Sequence, residues 1–166
     1  MGKYNYENIL AAIAVGVFFE VPSSSISEAV ATYSPTNNRS QLLKTANNSL
    51  ILDAYNANPT SMEAELLNFK SLTAENKVVI IGKMMELGEA STIEHKKLVQ
   101  LIKGCNFNKV FLVGEPYQEI LNDTSITVFE NVKFAISYFN KSPLKSCTIL
   151  IKGSRANQLE LLQPLF

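Results

Sequence analysis

The sequence has few of the residues that build metal or thiol chemistry. Cys105 and Cys147 are the only two cysteines among 166 residues, and their spacing fits no metal-binding motif. Reduced, inert thiols in the core of a cytoplasmic protein are the favoured interpretation. His95 is the only histidine, without a nearby nucleophile or ligand, so packing or capping is favoured over catalysis. We therefore predict no catalytic residue and no metal site in this chain.

The chain also lacks an excess of charge of one sign. Fifteen basic residues balance fifteen acidic ones, and neither sign is strongly clustered. A nucleic-acid surface needs a basic face, so nucleic acid is not an expected partner.

Long hydrophobic runs are missing as well, and a membrane is not an expected partner. The apolar run over 9–19 is too short to span a bilayer as a helix. A signal peptide is one interpretation of it, because Lys3 precedes the run and Pro22 follows. Glu7 weakens the positive start, however, and no Ala-x-Ala cleavage site occurs. The other interpretation is a helix that packs among neighbours.

A loop for binding phosphate is not found either. The sequence contains no Gly-x-x-x-x-Gly-Lys-[Ser/Thr] motif, and Gly82-Lys83 lacks both the upstream glycine and the following hydroxyl. No acidic or histidine cluster is placed to hold Mg²⁺. We expect the chain alone to bind no cofactor and not to turn over ATP.

The sequence has the composition and the alternation of strand-like and helical segments that are typical of an α/β domain. Hydrophobic residues make up 46% and charged residues 18%, as in folded proteins. From residue 40 onward, apolar strand-like runs alternate with helical segments, which predicts a Rossmann-like, mostly parallel sheet with helices on both faces. We expect about five to six strands, an antiparallel edge strand, and a short helical segment before the sheet. The predicted strands are 40–45, 49–52, 77–81, 109–113, 125–129 and 147–151.

Polar residues follow several of these strands. Parallel strands bring their carboxyl ends to one edge of a sheet, where α/β proteins bind ligands, and that edge is predicted to hold Asp53, Gly82, Gly114 and Lys152. The Asp53 carboxylate can accept hydrogen bonds from hydroxyl groups such as those of a ribose.

Two of the strand ends lead into helices. Asn58 is a good N-cap and Pro59 suits the first helical position, so free backbone N–H groups face the edge and favour phosphate or carboxylate. Near the end of the chain, Lys152 and Arg155 offer cationic donors, and Ser154 can cap a helix that is expected to start near Ala156.

Four segments form recognisable motifs. The longest reads Asp-Ala-Tyr-Asn-Ala-Asn-Pro-Thr-Ser-Met over 53–62. The others are Gly-x-x-Asn-x-x-Asn-x-x-Ala-Ala over 2–12, Gly-Lys-Met-Met-Glu-Leu-Gly-Glu over 82–89 and Lys-Gly-Ser-Arg over 152–155. In their order along the chain these segments resemble the motifs of the Mur ligases, and among these the members that add D-alanyl-D-alanine. Three positions depart from the family: Tyr4 replaces a usual His, Asn38 a usual Gly, and Lys83 a usual Asp, which reverses a charge.

The resemblance implies an activity for the intact enzyme. Mur ligases use ATP and Mg²⁺ to form an amide through an acyl phosphate. For the D-alanyl-D-alanine-adding members, the carboxylate belongs to UDP-N-acetylmuramoyl-tripeptide and the product is the pentapeptide precursor of peptidoglycan, made in the cytoplasm. Residues 1–38 would be the helical tail of the central ATP-binding domain and 39–166 the C-terminal domain, with the N-terminal and central domains as partners.

The resemblance also implies roles for single residues. Asn8 is expected near the adenine and Arg39 near the ATP phosphates. The other residues expected at ATP are Asp53, Asn56 and Asn58. The residues expected to bind the incoming substrate are Lys152, Ser154 and Arg155.

Two other interpretations stay open. A stand-alone Rossmann-like module that binds a nucleotide or another anion would have ligand affinity of its own. A related amide ligase, such as a folylpolyglutamate synthase, shares the expected fold but would differ over 53–62 and 152–155.

Overall fold

The computed structural model describes residues 6–35, 37–121 and 123–166. The chain divides into two compact units, Met1–Pro35 and Thr36–Phe166. Tyr4 and Asn5 of the first motif lie outside the described residues.

The first unit is a pair of helices, α1 (Tyr6–Phe18) and α2 (Ser23–Thr32). They meet at Gly16, where an added Cβ would lie 3.0 Å from the Ile26 Cδ1 atom, so a larger side chain would push the helices apart. No residue of α1 is buried, although the helix is mostly apolar. Among the described residues, no helix combines the length and apolar character needed to cross a bilayer.

The second unit is built on a sheet, to which the described residues contribute six strands. The strands are β1 (Gln41–Lys44), β2 (Ser49–Asp53), β3 (Lys77–Gly82), β4 (Lys109–Val113), β5 (Thr127–Phe129) and β6 (Thr148–Lys152). Their order across the sheet is β1-β2-β6-β3-β4-β5. β1 pairs antiparallel with β2 at one edge, and all the other neighbours are parallel.

Helices cover both faces of this sheet. Its strands alternate their side chains between two cores, so that Leu50 and Leu52 of β2 belong to one core and Ile51 to the other. The helices are α3 (Pro59–Ser71), α4 (Ser91–Cys105), α5 (Glu115–Ile120) and α6 (Val132–Lys141). Residues of α6 and of a 3₁₀ segment, Leu159–Leu165, contribute to the first core, and residues of α3, α4 and α5 contribute to the second. The predicted fold class is confirmed, including its antiparallel edge strand.

The start of α3 follows from local sequence. Asn58 has an extended backbone and its side-chain oxygen accepts a hydrogen bond of 2.8 Å from the Ser61 N–H. The Ser61 hydroxyl in turn accepts from the Asn58 N–H, which completes a capping box, and Pro59 occupies the first helical turn. The helix is therefore held directly after β2, at the edge where the sequence predicts a site.

Two glycines let the segment after β6 pack closely against the end of β3. A Cβ on Gly153 would lie 2.9 Å from Leu159 Cδ1 and 3.1 Å from the backbone Cα of Gly82. Contacts this short leave no room for a methyl group unless the backbone moves. The approach of these two loops thus depends on glycine at position 153.

We expect Gly153→Ala to lower the free energy of unfolding by about 1–3 kcal/mol, because overpacking forces backbone shifts. Gly104→Ala is the matched control, since nothing lies within 4 Å of a Cβ added there. Gly104 lies in α4, where alanine should raise stability by about 0.5–1 kcal/mol. Urea denaturation of both variants measures the difference, and equal stabilities would contradict the close approach.

Candidate functional site

An ion pair lies at the carboxyl edge of the sheet. Asp53 and Lys152 face each other as register partners at the ends of β2 and β6. The Lys152 ammonium donates a hydrogen bond to Oδ2 of Asp53, and the two side chains are only 2% and 14% exposed. Two residues that the sequence placed at this edge are therefore in contact, and the Lys152 ammonium faces the interior of the domain.

The same pair holds two neighbouring loops. Oδ1 of Asp53 accepts a hydrogen bond of 3.1 Å from the Ser40 N–H, and the Lys152 ammonium lies 3.5 Å from the Asn56 carbonyl oxygen. The loop before β1 and the loop after β2 are thus each held by a backbone group that contacts this buried pair of side chains.

The loop before β1 has an unusual backbone. Asn37, Asn38 and Ser40 have φ values of 59°, 59° and 47°, in the left-handed region. Asparagine tolerates this conformation better than most residues, so Asn38 can replace the glycine usual in the Mur ligases. The turn directs Arg39 toward the loop after β2.

Tyr55 organises two arginines at this edge. The guanidinium carbon of Arg39 lies 3.7 Å from the centre of the Tyr55 ring, and that of Arg155 lies 5.8 Å from it. Both distances fall within the range of cation–π attraction. Neither guanidinium forms an ion pair with a described residue.

These residues surround a pocket of about 440 Å³. It is lined by Asn37, Asn38, Arg39, Ala54, Tyr55, Arg155 and Glu160. The lining therefore combines two cationic groups, one aromatic face and one carboxylate. Oε2 of Glu160 is buried and has no hydrogen-bond partner among the described residues.

Ser154 has a different partner from the one that the sequence suggested. Where a helix was expected from about Ala156, the structure has a short 3₁₀ turn, Arg155–Asn157, and the Ser154 hydroxyl makes no capping bond there. Instead, the hydroxyl accepts a hydrogen bond of 3.2 Å from the Met85 N–H. Asn157 closes the turn by donating to the carbonyl oxygens of Lys83 and Ser154, at 2.8 and 3.0 Å. The capping prediction for Ser154 is wrong because the hydroxyl serves the neighbouring loop.

The reversed charge at position 83 has a local partner. The Lys83 ammonium lies 2.6 Å from Oε2 of Glu115, the first residue of α5. The hydrogen bond from Lys83 lowers the pKa of the Glu115 carboxyl. Lys83 is thus directed toward α5.

His95 packs against the loop after β3, which contains Lys83 and Met84. Its Nε2 accepts a hydrogen bond of 3.0 Å from the Met84 N–H, and its Nδ1 lies 2.8 Å from the Ser91 carbonyl oxygen. A carbonyl only accepts, so Nδ1 carries the proton and the ring is neutral. Burial lowers the pKa of His95, the Ser91 carbonyl raises it less, and Lys83 lowers it further. His95 therefore has the packing role that the sequence predicted.

The remaining predicted site residues have separate positions. Asn8 lies in α1, in the first unit, and is exposed. The side-chain oxygen of Asn56 accepts from the N–H of Ala57, at 2.8 Å, while that of Asn58 caps α3. Cys105 and Cys147 are free thiols. Within the described ranges, no group of three His, Cys, Asp or Glu residues is arranged to hold a metal ion.

The fold and the edge together define a class of protein. A doubly covered, mostly parallel sheet with a cationic pocket at its carboxyl edge is an α/β ligand-binding domain of Rossmann type. Residues 38–155 match the family model described as Mur ligase, glutamate ligase domain. The chain belongs to the Mur ligase family.

Individual relatives agree with this assignment. The chain is 32% identical, over its full length, to the UDP-N-acetylmuramoyl-tripeptide--D-alanyl-D-alanine ligase of Borreliella burgdorferi, and it spans 37% of that enzyme. A solved structure of the UDP-N-acetylmuramoylalanyl-D-glutamyl-2,6-diaminopimelate--D-alanyl-D-alanyl ligase of Acinetobacter baumannii matches 98% of the chain. The match covers 36% of that protein, at 26% identity and a TM-score of 0.84. A folylpolyglutamate synthase of Mycobacterium tuberculosis, solved with ADP and AMPPCP, shares the fold: 99% of the chain and 40% of that protein, 16% identity, TM-score 0.67.

Sequence reasoning missed three residues of this edge. Tyr55 lies inside the 53–62 motif but received no role, because nothing local shows that two arginines approach its ring. Glu160 and Asn157 lie in the segment after the last predicted strand, which has no strong periodicity. The one sequence feature that could have pointed to Glu160 is its position five residues after Arg155, the last residue of the Lys-Gly-Ser-Arg motif.

Lys152→Met should lower the free energy of unfolding by about 3–5 kcal/mol, since it leaves the Asp53 carboxylate without its partner in a poorly solvated site. Lys97→Met is the control, because the Lys97–Glu94 pair is exposed and should contribute only about 0.2–1 kcal/mol. Urea denaturation measures both variants. Adding Asp53→Asn to Lys152→Met should recover part of the loss, and no recovery would show that the charge is not the cause.

Stability should fall in mild acid because of His95. Its pKa in the folded chain lies below the usual 6.5, so the unfolded chain takes up the proton first as the pH falls. The free energy of unfolding therefore decreases below pH 6.5, by at most about 1.4 kcal/mol per pH unit for one proton. Thermal or urea unfolding across this range, compared with His95→Gln, isolates the contribution. Parallel curves for the two proteins would rule it out.

Proposed function

We propose that this chain is the C-terminal domain of an ATP-dependent amide ligase that adds D-alanyl-D-alanine to UDP-N-acetylmuramoyl-tripeptide in the cytoplasm. The likeness to the Borreliella burgdorferi ligase along the whole chain carries the proposal. Because the chain spans 37% of that enzyme, the activity would belong to a larger protein with N-terminal and central domains. Within it, residues 1–38 would be the tail of the central domain and 39–166 the C-terminal domain.

ATP would supply the phosphoryl group that converts the substrate carboxylate to an acyl phosphate, with Mg²⁺ also bound in the intact enzyme. The residues of this chain fit a nucleotide at the sheet edge. The Arg39 guanidinium lies over the Tyr55 ring and forms no ion pair with a described residue, so its N–H groups have no carboxylate partner there. They are then free to donate to phosphate oxygens.

The other nucleotide contacts belong to the same proposal. Lys152 and Ser40 hold the Asp53 carboxylate in one orientation, and in this proposal it would accept a hydrogen bond from a ribose hydroxyl. Asn56 and Asn58 would position the loop and the start of α3 next to the phosphates. Asn8 would approach the adenine from the first unit.

Arg155, Ser154 and Lys152 would serve the incoming dipeptide. Arg155 is exposed in the pocket and is the group suited to the dipeptide carboxylate. Ser154 and Lys152 are buried, so we propose that they act mainly by positioning. Ser154 anchors the loop after β3 through Met85, and Lys152 holds Asp53.

The alternatives have less support. A folylpolyglutamate synthase domain would share the fold, but the match to the motifs at 53–62 and 152–155 favours the D-alanyl-D-alanine-adding ligases. A stand-alone module that binds a nucleotide or anion would need no other domain for its function. The experiment that follows separates these cases.

Mixing the chain with the separately expressed N-terminal and central domains of the ligase should restore product formation. The mixture receives ATP, Mg²⁺, UDP-N-acetylmuramoyl-tripeptide and D-alanyl-D-alanine, and mass spectrometry detects the pentapeptide product. Each half alone should be inactive. Arg39→Ala should reduce the rate at least tenfold, because the loss of one charge-assisted hydrogen bond is worth about 1.5–3 kcal/mol. Lys97→Ala, far from the pocket, should leave the rate unchanged.

Two results would contradict the proposal. Product made by the chain alone would show that the ATP machinery lies within it. A mixture that stays inactive while the intact ligase is active, with the folded chain present in excess, would count against its role as the missing domain. An equal rate for Arg39→Ala would refute the role of Arg39 but not the function of the domain.

A further inference from the structure

Both arginines of the chain lie at one tyrosine ring. Arg39 precedes β1 and Arg155 follows β6, and the sequence contains no other arginine. Their guanidinium carbons lie 3.7 and 5.8 Å from the centre of the Tyr55 ring. Cation–π attraction extends to about 6 Å, so the contact with Arg39 is close and the contact with Arg155 is near the limit. The ring, rather than the Tyr55 hydroxyl, makes both contacts.

The turn that carries Arg39 is strained. Asn37, Asn38 and Ser40 all have left-handed backbones, with φ values of 59°, 59° and 47°. Residues other than glycine adopt this region at a cost in energy, and such strain persists only where the surrounding structure holds it, typically at functional sites. The Ser40 N–H donates to Oδ1 of Asp53, which anchors the C-terminal side of the turn. The backbone of Arg39 is thus held in a strained turn next to the pocket.

The turn alone does not fix the Arg39 guanidinium. An arginine side chain has several rotatable bonds, and Arg39 is exposed. The guanidinium forms no ion pair with a described residue, whereas it lies over the Tyr55 ring. The ring therefore restrains the charged end of a side chain that the backbone leaves free to rotate.

Tyr55 is itself held by its neighbours in the chain. Ala54 is buried, and the Asn56 carbonyl oxygen lies 3.5 Å from the ammonium group of Lys152. Between them, Tyr55 is 38% exposed and lines the pocket, so its ring lies at the pocket wall rather than in the core. An aromatic face fixed at this place is suited to hold a cation.

We propose that Tyr55 is a positioning residue of the ligase reaction, whose ring holds the Arg39 guanidinium in place before the nucleotide binds. The inference rests on the proposed function, in which Arg39 donates to phosphate oxygens, and deepens it. A side chain that is already restrained loses less conformational freedom on binding, which favours both affinity and correct placement. Tyr55 thus contributes through Arg39, and its hydroxyl is not required.

Steady-state kinetics of the chain mixed with the N-terminal and central domains test this role. Tyr55→Leu removes the ring and should lower kcat/KM for ATP by about 2-fold to 30-fold, the factor that one cation–π contact supports. Tyr55→Phe keeps the ring without the hydroxyl and should retain the parent value. The Michaelis constant for D-alanyl-D-alanine should be unchanged in both variants, because Arg155, the group proposed for the dipeptide, is distant from the ring.

Double-mutant cycles identify the arginine through which Tyr55 acts. In an Arg39→Ala background, Tyr55→Leu should cause no further loss of kcat/KM for ATP, since the group that the ring holds is already absent. In an Arg155→Ala background, Tyr55→Leu should cause the same fold loss as in the parent. A general loss of structure would instead lower the activity in both backgrounds.

NMR spectroscopy of the whole chain gives a readout that does not depend on activity. With only two arginines, the side-chain Nε–Hε signals can be assigned by Arg39→Lys and Arg155→Lys. A proton above an aromatic ring is shielded, so the Arg39 signal should lie upfield of the Arg155 signal in the parent and in Tyr55→Phe. Tyr55→Leu should remove that shift, and the dispersion of the backbone signals shows whether the variant is folded.

Four results would overturn the inference. These are an unchanged kcat/KM for ATP in Tyr55→Leu, an equal loss in Tyr55→Phe, a full further loss in the Arg39→Ala background, and an Arg39 signal without an upfield shift in the parent. Any of them with an active mixture would keep the ligase function and reject the role of Tyr55. An inactive mixture whose chain shows the Arg39 shift would reject the ligase function, and with it this role, but not the contact itself.

Discussion

The ion pair between Asp53 and Lys152 is the contact on which the carboxyl edge of the sheet depends. It joins two neighbouring parallel strands at their last register position and lies almost entirely out of solvent. Removing charges from water is unfavourable, so each group needs the other. Through Ser40 and Asn56 the same pair fixes the two loops that hold Arg39 and Tyr55. The pocket therefore gets its shape from a contact that lies behind its wall.

Much of the fold follows from short-range sequence features. The apolar runs of β2, β3, β4 and β6 are buried strands, and the Asn58-Pro59 pair begins α3 as its capping chemistry predicts. Met62, Leu66 and Phe69, spaced along one face of α3, are all fully buried. Because parallel strands share one carboxyl edge, the location of Asp53, Gly82 and Lys152 could also be derived. These features depend on residues only a few positions apart, or on the topology that alternation implies.

The pairing of side chains at this edge could not be derived in the same way. Asp53 and Lys152 are 99 positions apart, and their contact depends on β6 lying between β2 and β3. An isolated lysine after a strand looks like a surface donor until the strand order is known. Ser154 illustrates the same difficulty, because its capping position is local but the competing Met85 N–H belongs to another loop. Sequence spacing indicates which groups reach the edge, and register decides which of them face solvent.

The buried polar groups of this domain differ in whether a hydrogen bond within the described residues satisfies them. His95, Ser154 and Asn157 are buried polar residues that each form a hydrogen bond with a backbone atom of the loop after β3, so packing explains them. Glu160 is different, because Oε2 is buried in the pocket wall and no described residue donates to it. Proteins tend to violate their own packing rules at functional sites. The unpaired oxygen of Glu160 is therefore the polar group at this edge that hydrogen bonding within the described residues does not explain.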